Sequence, residues 1–349
     1  MAMNATWIPL EDSLTLLSER TWLSGAVLTG VGYGVVLTMY FLCVRQLLKT
    51  MDSSNRIQRI ALLTYTSLIT LFGTLFVAAC TRMTELSFVD YRLYPGGPAA
   101  FENDMFSIPV DELGNVAFVL ANWFADALMV WRCINMYRST NYPTILVVAI
   151  PGIAYLGSFT MGVMWLLQVS ASQSSPWLTN GKVNFTPPYY WLSLALNMTM
   201  TVAIVIRLLF FRWRISKVMG RKFGSQYVGV AAMLVESALL YSSFALLFLV
   251  PFALNHPLAN LFIQVLAEVQ IVAPLMIIYR VASGEAFSTN KTAHMLSTNG
   301  VDGAVKGIKL SKLTERSATL DGGPHSSSKL AVKTKENMTF ENSSEPYVV

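Results

Sequence analysis

The chain has 349 residues and a mean hydropathy of +0.49, with 54% hydrophobic and 13% charged residues. This composition argues against a soluble globular protein, in which about 25% of the residues are charged. The net charge of +5 does not indicate nucleic-acid binding, because the basic residues flank long apolar segments, where anionic lipid headgroups attract them.

Seven apolar segments follow one another along the chain. Each is long enough to cross a bilayer, which takes about 20 helical residues. The predicted spans are 23–44, 60–80, 116–136, 144–168, 189–211, 228–251 and 258–279. We therefore predict an all-α fold, a seven-transmembrane-helix bundle formed by residues 1–284 within a lipid bilayer.

Lysine and arginine mark the cytoplasmic side of a multi-pass protein. Four of the 25 basic residues fall on one side of the predicted spans, namely Arg20, Arg82, Arg92 and Lys182. The N-terminus is therefore predicted outside and the C-terminus in the cytoplasm, with the plasma membrane favoured over an endomembrane. Asn4 and Asn184 begin sequons on the outer side and are candidate N-glycosylation sites.

Glycines in the first span indicate close helix packing. Gly30 and Gly34 form a Gly-x-x-x-Gly pattern, with Gly25 and Gly32 nearby. Small residues at this spacing let two helix backbones approach. We expect packing within the bundle, with dimerisation as the less favoured alternative.

The longest outer loop spans residues 81–115 and contains a Pro-Gly-Gly-Pro turn. Among its acids are Glu102, Asp104, Asp111 and Glu112. Two interpretations are open at this point: a partial lid over the bundle, or an acidic connection in solvent.

Beyond residue 284 the chain becomes rich in Ser, Thr, Lys, Asn and Gly and contains few aromatic side chains. Such a segment cannot bury enough apolar surface to offset the entropy of ordering. We predict a disordered cytoplasmic tail over residues 285–349.

Three acids lie within the predicted spans at similar depth, Asp126, Glu236 and Glu268, and the cores of the spans contain no Lys or His. Acids in such positions usually face the interior of the bundle. We predict a polar intramembrane cavity for a cation or small molecule, lined by Asn122, Asp126, Asn197, Glu236, Gln264 and Glu268. The alternative is that neutral acids and amides hold the helices together by hydrogen bonds.

Histidine is scarce, which argues against an enzyme. The only three are His256, His294 and His325, one in an outer loop and two in the tail. A zinc or di-iron centre needs several imidazoles at one depth, and a Ser-His-Asp triad needs one beside its nucleophile. We therefore expect no enzymatic activity, no metal and no cofactor.

Four segments of the chain carry a family resemblance. They are 120–128 with 131–133, 196–197 with 201, 235–241, and 273–284. In these segments the chain resembles a group of seven-span membrane proteins from mushroom-forming (basidiomycete) fungi. The resemblance implies the topology and a set of polar residues, Asp126, Arg132, Asn197, Glu236 and Arg280, but no activity.

These observations favour a receptor-like sensor of a small molecule. Ligand binding in the polar cavity would shift the third, sixth and seventh spans against one another. Basic residues at the inner side would present this change to a cytoplasmic signalling partner, namely Arg132, Arg212, Arg214, Lys217, Arg221, Lys222 and Arg280. The alternatives are a proton- or cation-coupled transporter using Asp126, Glu236 and Glu268, and a membrane scaffold without a ligand.

Overall fold

A computed structural model describes residues 11–53, 55–138, 144–171, 175–177, 183–219 and 225–283. These residues form eight α-helices and no strand. The helices are α1 (Ser13–Lys49), α2 (Arg56–Glu85), α3 (Gly97–Asp104), α4 (Pro109–Arg138), α5 (Thr144–Val169), α6 (Thr186–Met219), α7 (Ser225–Ala253) and α8 (Leu258–Ser283). All but the short α3 are long and apolar enough to cross a membrane, which confirms the seven-span prediction. The predicted tail, 285–349, lies outside the described residues.

Several helices continue beyond their predicted spans. Helix α1 has 37 residues and begins at Ser13 rather than at residue 23. At 1.5 Å per residue it is about 55 Å long, whereas a bilayer core is about 30 Å thick. The helix therefore projects past the apolar layer. We call the end of the bundle at which α1 begins the outer end, and the opposite end the inner end.

Helix α8 lies at the centre of the bundle. In its most apolar stretch 78% of the residues are buried, against 17% in α1. Side-chain hydrogen bonds join it to its neighbours: the Cys43 thiol of α1 donates to the carbonyl of Leu275 (3.3 Å), and the Gln270 amide donates to the carbonyl of Phe118 in α4 (3.0 Å). Helices α4 and α8 thus form the core, around which the others pack.

Glycines allow α1 and α2 to approach α8. A Cβ atom on Gly25 would lie 2.7 Å from the Nε2 of Gln264, and one on Gly73 would lie 2.9 Å from the Cδ1 of Ile271. A Cβ atom on Gly32 would meet α8 in the same way, at 3.1 Å. These positions need glycine because a larger residue would push the helices apart.

The Gly-x-x-x-Gly pattern does not contribute to this packing. Gly30 and Gly34 are exposed, and a Cβ atom at either position would have no neighbour within 4 Å. The expectation of close packing at these two residues was wrong. The cause is the rotation of α1 about its own axis, which turns the face with Gly25, Thr29 and Val36 toward the bundle and leaves Gly30 and Gly34 outside.

The outer loop is packed against the helices. After α2 the chain makes a π-helical turn, Leu86–Asp90, and then forms α3. Phe101 and Glu102 of α3 are only 5% and 3% exposed, and the ring of Phe101 stacks on Tyr91 at 5.1 Å. The interpretation as an acidic connection in solvent was therefore wrong, since α3 covers part of the outer end.

The turn before α3 depends on two glycines with left-handed backbone. Gly96 has φ of 90° and Gly97 has φ of 78°, a region that side chains with a Cβ atom disfavour. A Cβ atom on Gly97 would also lie 2.7 Å from the Oε1 of Glu19 in α1. The turn thus sets how α3 meets the projecting end of α1.

Gly97→Ala is expected to lower the free energy of unfolding by about 1–3 kcal/mol, through backbone strain and the contact with Glu19. Gly30→Ala is the matched control, because its Cβ atom meets nothing and alanine favours a helix by about 1 kcal/mol. Thermal unfolding of the full-length protein in detergent measures both variants. Equal midpoints would contradict the prediction.

Candidate functional site: two cavities in the helix bundle

The structure does not place the six predicted cavity residues in one site. Asn122, Asp126 and Asn197 line one cavity near the middle of the bundle, which we call the inner cavity. Gln264 lines a second cavity nearer the outer end, which we call the outer cavity. The other two, both acids, line neither.

The inner cavity lies among α4, α6, α7 and α8, and the space between their atoms, including the part open to solvent, measures about 370 Å³. The side-chain amide of Asn122 donates to the hydroxyls of Tyr189 (2.9 Å) and Ser193 (3.2 Å). Ser193 in turn lies 3.0 Å from the hydroxyl of Tyr241 in α7. These bonds form a continuous polar network that joins α4, α6 and α7.

Asp126 extends this network toward α5. Its side chain is 2% exposed and accepts a hydrogen bond from the Ser158 hydroxyl at 3.2 Å. Asn197 is half-buried, and its amide oxygen lies 3.5 Å from the hydroxyl of Thr201. The structure therefore brings together three of the predicted residues, with hydroxyl groups as their partners.

Glu268 occupies a closed position between α8, α1 and α2. Its side chain has no exposed surface, and neither carboxylate oxygen has a hydrogen-bond partner among the described residues. Cβ atoms on Gly32 and Gly73 would both lie within 3.4 Å of its side-chain atoms. The acid is thus enclosed by helix backbone, and it lines neither the inner nor the outer cavity.

Glu236 points away from the bundle. It is exposed on α7, beside the exposed Val235 and Leu239. Its placement in the polar cavity was therefore wrong. The reason is the helical period, because α7 turns Ser237 and Tyr241 toward the inner cavity.

The outer cavity is the larger of the two, with about 690 Å³ of space including the part that opens outward. Seven of the eight described helices, all except α7, supply part of its wall. Its aromatic residues are Trp22, Phe76, Phe106, Phe118, Trp165, Trp177 and Tyr190.

Acids lie at the same cavity. Glu102 and Asp111 line it, and Glu19 of α1 is an electrostatic neighbour of Glu102. One oxygen of Glu102 accepts a hydrogen bond from the Ser87 hydroxyl at 2.8 Å. The pKa of Glu102 is raised to about 8, mainly by burial; the bond from Ser87 opposes this shift, and the nearby acids Asp111 and Glu19 add to it.

Three buried polar atoms at the outer cavity have no hydrogen-bond partner among the described residues. They are the Oε2 of Glu102, the indole Nε1 of Trp22 and the hydroxyl of Tyr190. Glu102 and Tyr190 are only 3% and 2% exposed. An unmade hydrogen bond at a buried group costs about 1–3 kcal/mol, so we expect water or a bound molecule to pair with these atoms.

Aromatic side chains connect the two cavities. Trp165, in the wall of the outer cavity, stacks on Tyr189 with ring centroids 5.7 Å apart. Tyr189 accepts the hydrogen bond from Asn122 described above. A movement of Trp165 would therefore reach the polar network of the inner cavity through direct contacts.

Some of the predicted coupling residues are described. Arg132 is half-buried near the hydroxyl of Tyr65, and Arg280 is exposed at the inner end. Arg212, Arg214 and Lys217 belong to α6, but nothing further is described of their side chains. Arg221 and Lys222 lie outside the described residues.

The two candidate glycosylation sites differ. Asn4 lies outside the described residues. Asn184 is half-buried, its amide nitrogen donates to the carbonyl of Pro176 (3.0 Å), and its amide oxygen accepts from the backbone of Thr186 (3.0 Å). In the folded protein the acceptor amide of Asn184 is thus engaged in the loop.

Most of the outer cavity was missed by the sequence interpretation. Glu102 and Asp111 were noted as loop acids, but Trp22, Trp177 and Tyr190 were not assigned to a site. A usable signal was the placement of Trp and Tyr at the outer ends of apolar segments beside an acidic loop. That pattern is also typical of aromatic side chains at the membrane surface.

Comparison with known proteins adds no identity: no family model, curated protein or solved structure matches this chain. Among the described residues, no three His, Cys, Asp or Glu side chains are grouped as ligands of a metal ion. The expectations of a fungal family and of no enzymatic activity therefore stay predictions.

The raised pKa of Glu102 predicts that stability falls with rising pH. Between about pH 4.5 and about pH 8 the folded state keeps a proton on Glu102 that the unfolded state releases. The free energy of unfolding therefore decreases over this range, by at most about 5 kcal/mol. Above about pH 8 both states have released the proton, and this contribution no longer changes with pH. Thermal unfolding of the wild type and of Glu102→Gln from pH 5 to pH 9 measures this effect. Glu102→Gln should flatten the dependence, whereas Glu85→Gln, an exposed acid paired with Arg82, should not.

The network around Asn122 predicts non-additive substitutions. Asn122→Ala and Ser193→Ala together should differ from the sum of their single effects by about 0.5–3 kcal/mol, because the two side chains share a hydrogen bond. Thr199→Ala is the control partner, since its hydroxyl bonds carbonyls of its own helix. Thermal unfolding of the single and double variants gives the coupling. Additivity in both pairs would contradict the network.

Proposed function

We propose that this protein is a receptor-like membrane sensor that binds a small molecule in the outer cavity and transmits the binding to the inner end of the bundle. The ligand site in this proposal is the outer cavity rather than the acids at mid-membrane depth. The inner cavity then transmits the effect of binding and does not itself make the first contact with the ligand. We also propose, from the resemblance of its four segments, that the chain belongs to the basidiomycete group and resides in the plasma membrane.

The observation that carries the proposal is the wall of the outer cavity. Its lining residues come from six of the seven spanning helices and from α3. A molecule bound there touches elements that are far apart in sequence, so it favours one arrangement of the helices over another. Differential binding of this kind is what shifts a conformational equilibrium.

A route for transmission runs from the outer cavity inward. Trp165 contacts Tyr189, and Tyr189 bonds Asn122, which belongs to the network shared with α7. Pro274 of α8 lies in the wall of the same inner cavity. A proline within a helix removes one backbone hydrogen bond and permits bending there. The moving elements in this proposal are α4, α7 and α8.

The inner end would present the movement to a cytoplasmic partner. The proposed contact residues remain Arg132, Arg212, Arg214, Lys217, Arg221, Lys222 and Arg280. Their positive charge suits an acidic protein surface next to the anionic leaflet.

The second candidate is a proton-coupled transporter, and Glu268 is the observation that favours it. A buried carboxyl without partners suits the binding and release of a proton. Against it, Glu236 is exposed and Glu268 lines neither cavity, so the three predicted acids do not form one pathway. A scaffold without a ligand agrees with the closed position of Glu268 but leaves the outer cavity without a role.

The test uses the full-length protein in nanodiscs and a chemically diverse panel of small polar and aromatic compounds. At least one compound should raise the thermal midpoint of the wild type and change backbone hydrogen exchange at the inner ends of α4, α7 and α8. Tyr190→Ala should weaken the response, whereas Tyr33→Ala, a half-buried tyrosine bonded to Thr74, should retain it. Binding without any change at the inner end would contradict the proposal.

Flux measurements separate the sensor from the transporter. In proteoliposomes with a pH gradient and a membrane potential, the sensor should move neither protons nor the stabilising compound. Flux that Asp126→Asn and Glu268→Gln both abolish would establish the transporter instead.

A further inference from the structure

The acids of the outer cavity lack cationic partners. Glu102, Asp111 and Glu19 interact with Ser87, Asn115 and the backbone of Ala99, respectively, and not with a basic side chain among the described residues. The ion pairs described at the outer end are those of Arg82 with Glu85 and Asp90. The cavity therefore gathers carboxyl groups without a basic partner among the described residues, in a place that is largely shielded from water.

The walls of the same cavity suit a positive charge. Trp22, Trp165 and Trp177 line it together with Tyr190. The face of an aromatic ring attracts an ammonium group by about 0.5–2 kcal/mol, most strongly for tryptophan and when the site excludes water. Aromatic faces also bury the carbon atoms of an organic molecule, which a metal ion does not require.

Two unpartnered donors define a further property of the occupant. The indole nitrogen of Trp22 can only donate a hydrogen bond, and the Tyr190 hydroxyl can donate or accept one. Both belong to residues that line the cavity. A molecule with an oxygen acceptor besides its positive charge would pair with them.

We propose that the outer cavity binds an organic cation, a protonated or quaternary amine that also carries a hydrogen-bond acceptor. Glu102 and Asp111 pair with the ammonium group, the tryptophans enclose it, and Trp22 or Tyr190 donates to its oxygen. The inference rests on the proposed function in that it names the ligand class for the same cavity, but binding itself does not require the protein to signal.

The same arrangement disfavours other occupants. An anionic molecule would be repelled by Glu102 and Asp111 when they are ionised. A neutral molecule could donate a hydrogen bond to the Oε2 of Glu102 but would not compensate its charge. A bare metal ion would find no group of three ligating side chains among the described residues. The organic cation is the class that satisfies the charge, the aromatic wall and the free donors together.

Binding should depend on pH in a predictable direction. The groups facing Glu102 are Glu19 from α1, Cys80 from α2 and Asp111 from α4. Burial raises the pKa of Glu102 to about 8, so its carboxyl gains charge as the pH rises through that value. A quaternary ammonium does not titrate, and its affinity should therefore increase between pH 6.5 and pH 9.

Two pairs of probes test the charge directly. Choline is compared with 3,3-dimethylbutan-1-ol, and tyramine with 4-(2-hydroxyethyl)phenol, by calorimetric titration of the full-length protein in nanodiscs; both cations keep a hydroxyl oxygen as hydrogen-bond acceptor. Each pair has nearly the same shape and differs in the positive charge. At least one of the two ammonium compounds should bind at least about tenfold more tightly than its neutral counterpart, since a tenfold ratio corresponds to one good charge contact.

Matched variants locate the charge. Glu102→Gln and, independently, Asp111→Asn should weaken binding of the ammonium compound about tenfold and leave a neutral probe unaffected, which also reports that the cavity is intact. Glu85→Gln should change neither, because Glu85 is exposed and lies outside the cavity wall. Equal affinities within both pairs, no binding of either cation at millimolar concentration, or unchanged affinity in both variants would overturn the proposal.

The outcomes also separate this inference from the proposed function. If a cation binds through Glu102 but does not change hydrogen exchange at the inner end, the ligand class stands and the sensor proposal falls. If a neutral compound binds the cavity as tightly and does change the inner end, the sensor proposal stands and the cationic class falls.

Discussion

Polar side chains between membrane-spanning helices have only one another as partners, because hydrocarbon offers no hydrogen bonds. This protein meets that constraint in two different ways. Around Asn122 the hydroxyls of Tyr189 and Ser193 complete a network that ties three helices. At the outer cavity, Glu102 and Tyr190 keep atoms without a partner among the described residues. The first region is held together by its own hydrogen bonds, whereas the second keeps polar atoms that the described residues do not pair.

Hydrophobic length was enough to predict the number and order of the spans. It could not predict which face of a helix turns inward, and this explains the errors. Glu236 lies at the expected depth, but α7 directs Ser237 toward the cavity. Gly30 and Gly34 have the expected spacing, but α1 buries the face that carries Gly32. Rotation of a helix depends on all of its neighbours and is only weakly encoded in any single span.

The outer cavity could not be predicted because its parts come from separate elements. Trp22 contributes from the outer part of α1, and Glu102 contributes from α3, which starts at a left-handed turn. The sequence shows that the loop between the second and third spans is acidic. It does not show that these acids lie beside tryptophan rings, because that contact arises only when the loop packs against the helices and lines the outer cavity.

The central position of α8 has a consequence for biosynthesis. Of the described spans, α8 is the last to be synthesised. Its contacts nevertheless involve the earlier helices: it packs against Gly25, Gly32 and Gly73 of α1 and α2, and its Leu275 carbonyl accepts a hydrogen bond from the Cys43 thiol. Six inserted helices therefore surround an unfilled groove until the seventh arrives. The peripheral helices are thus synthesised first and the central helix last. An mRNA truncated before α8 would therefore encode a membrane protein that lacks its central helix, and such a protein would be a substrate for membrane quality control.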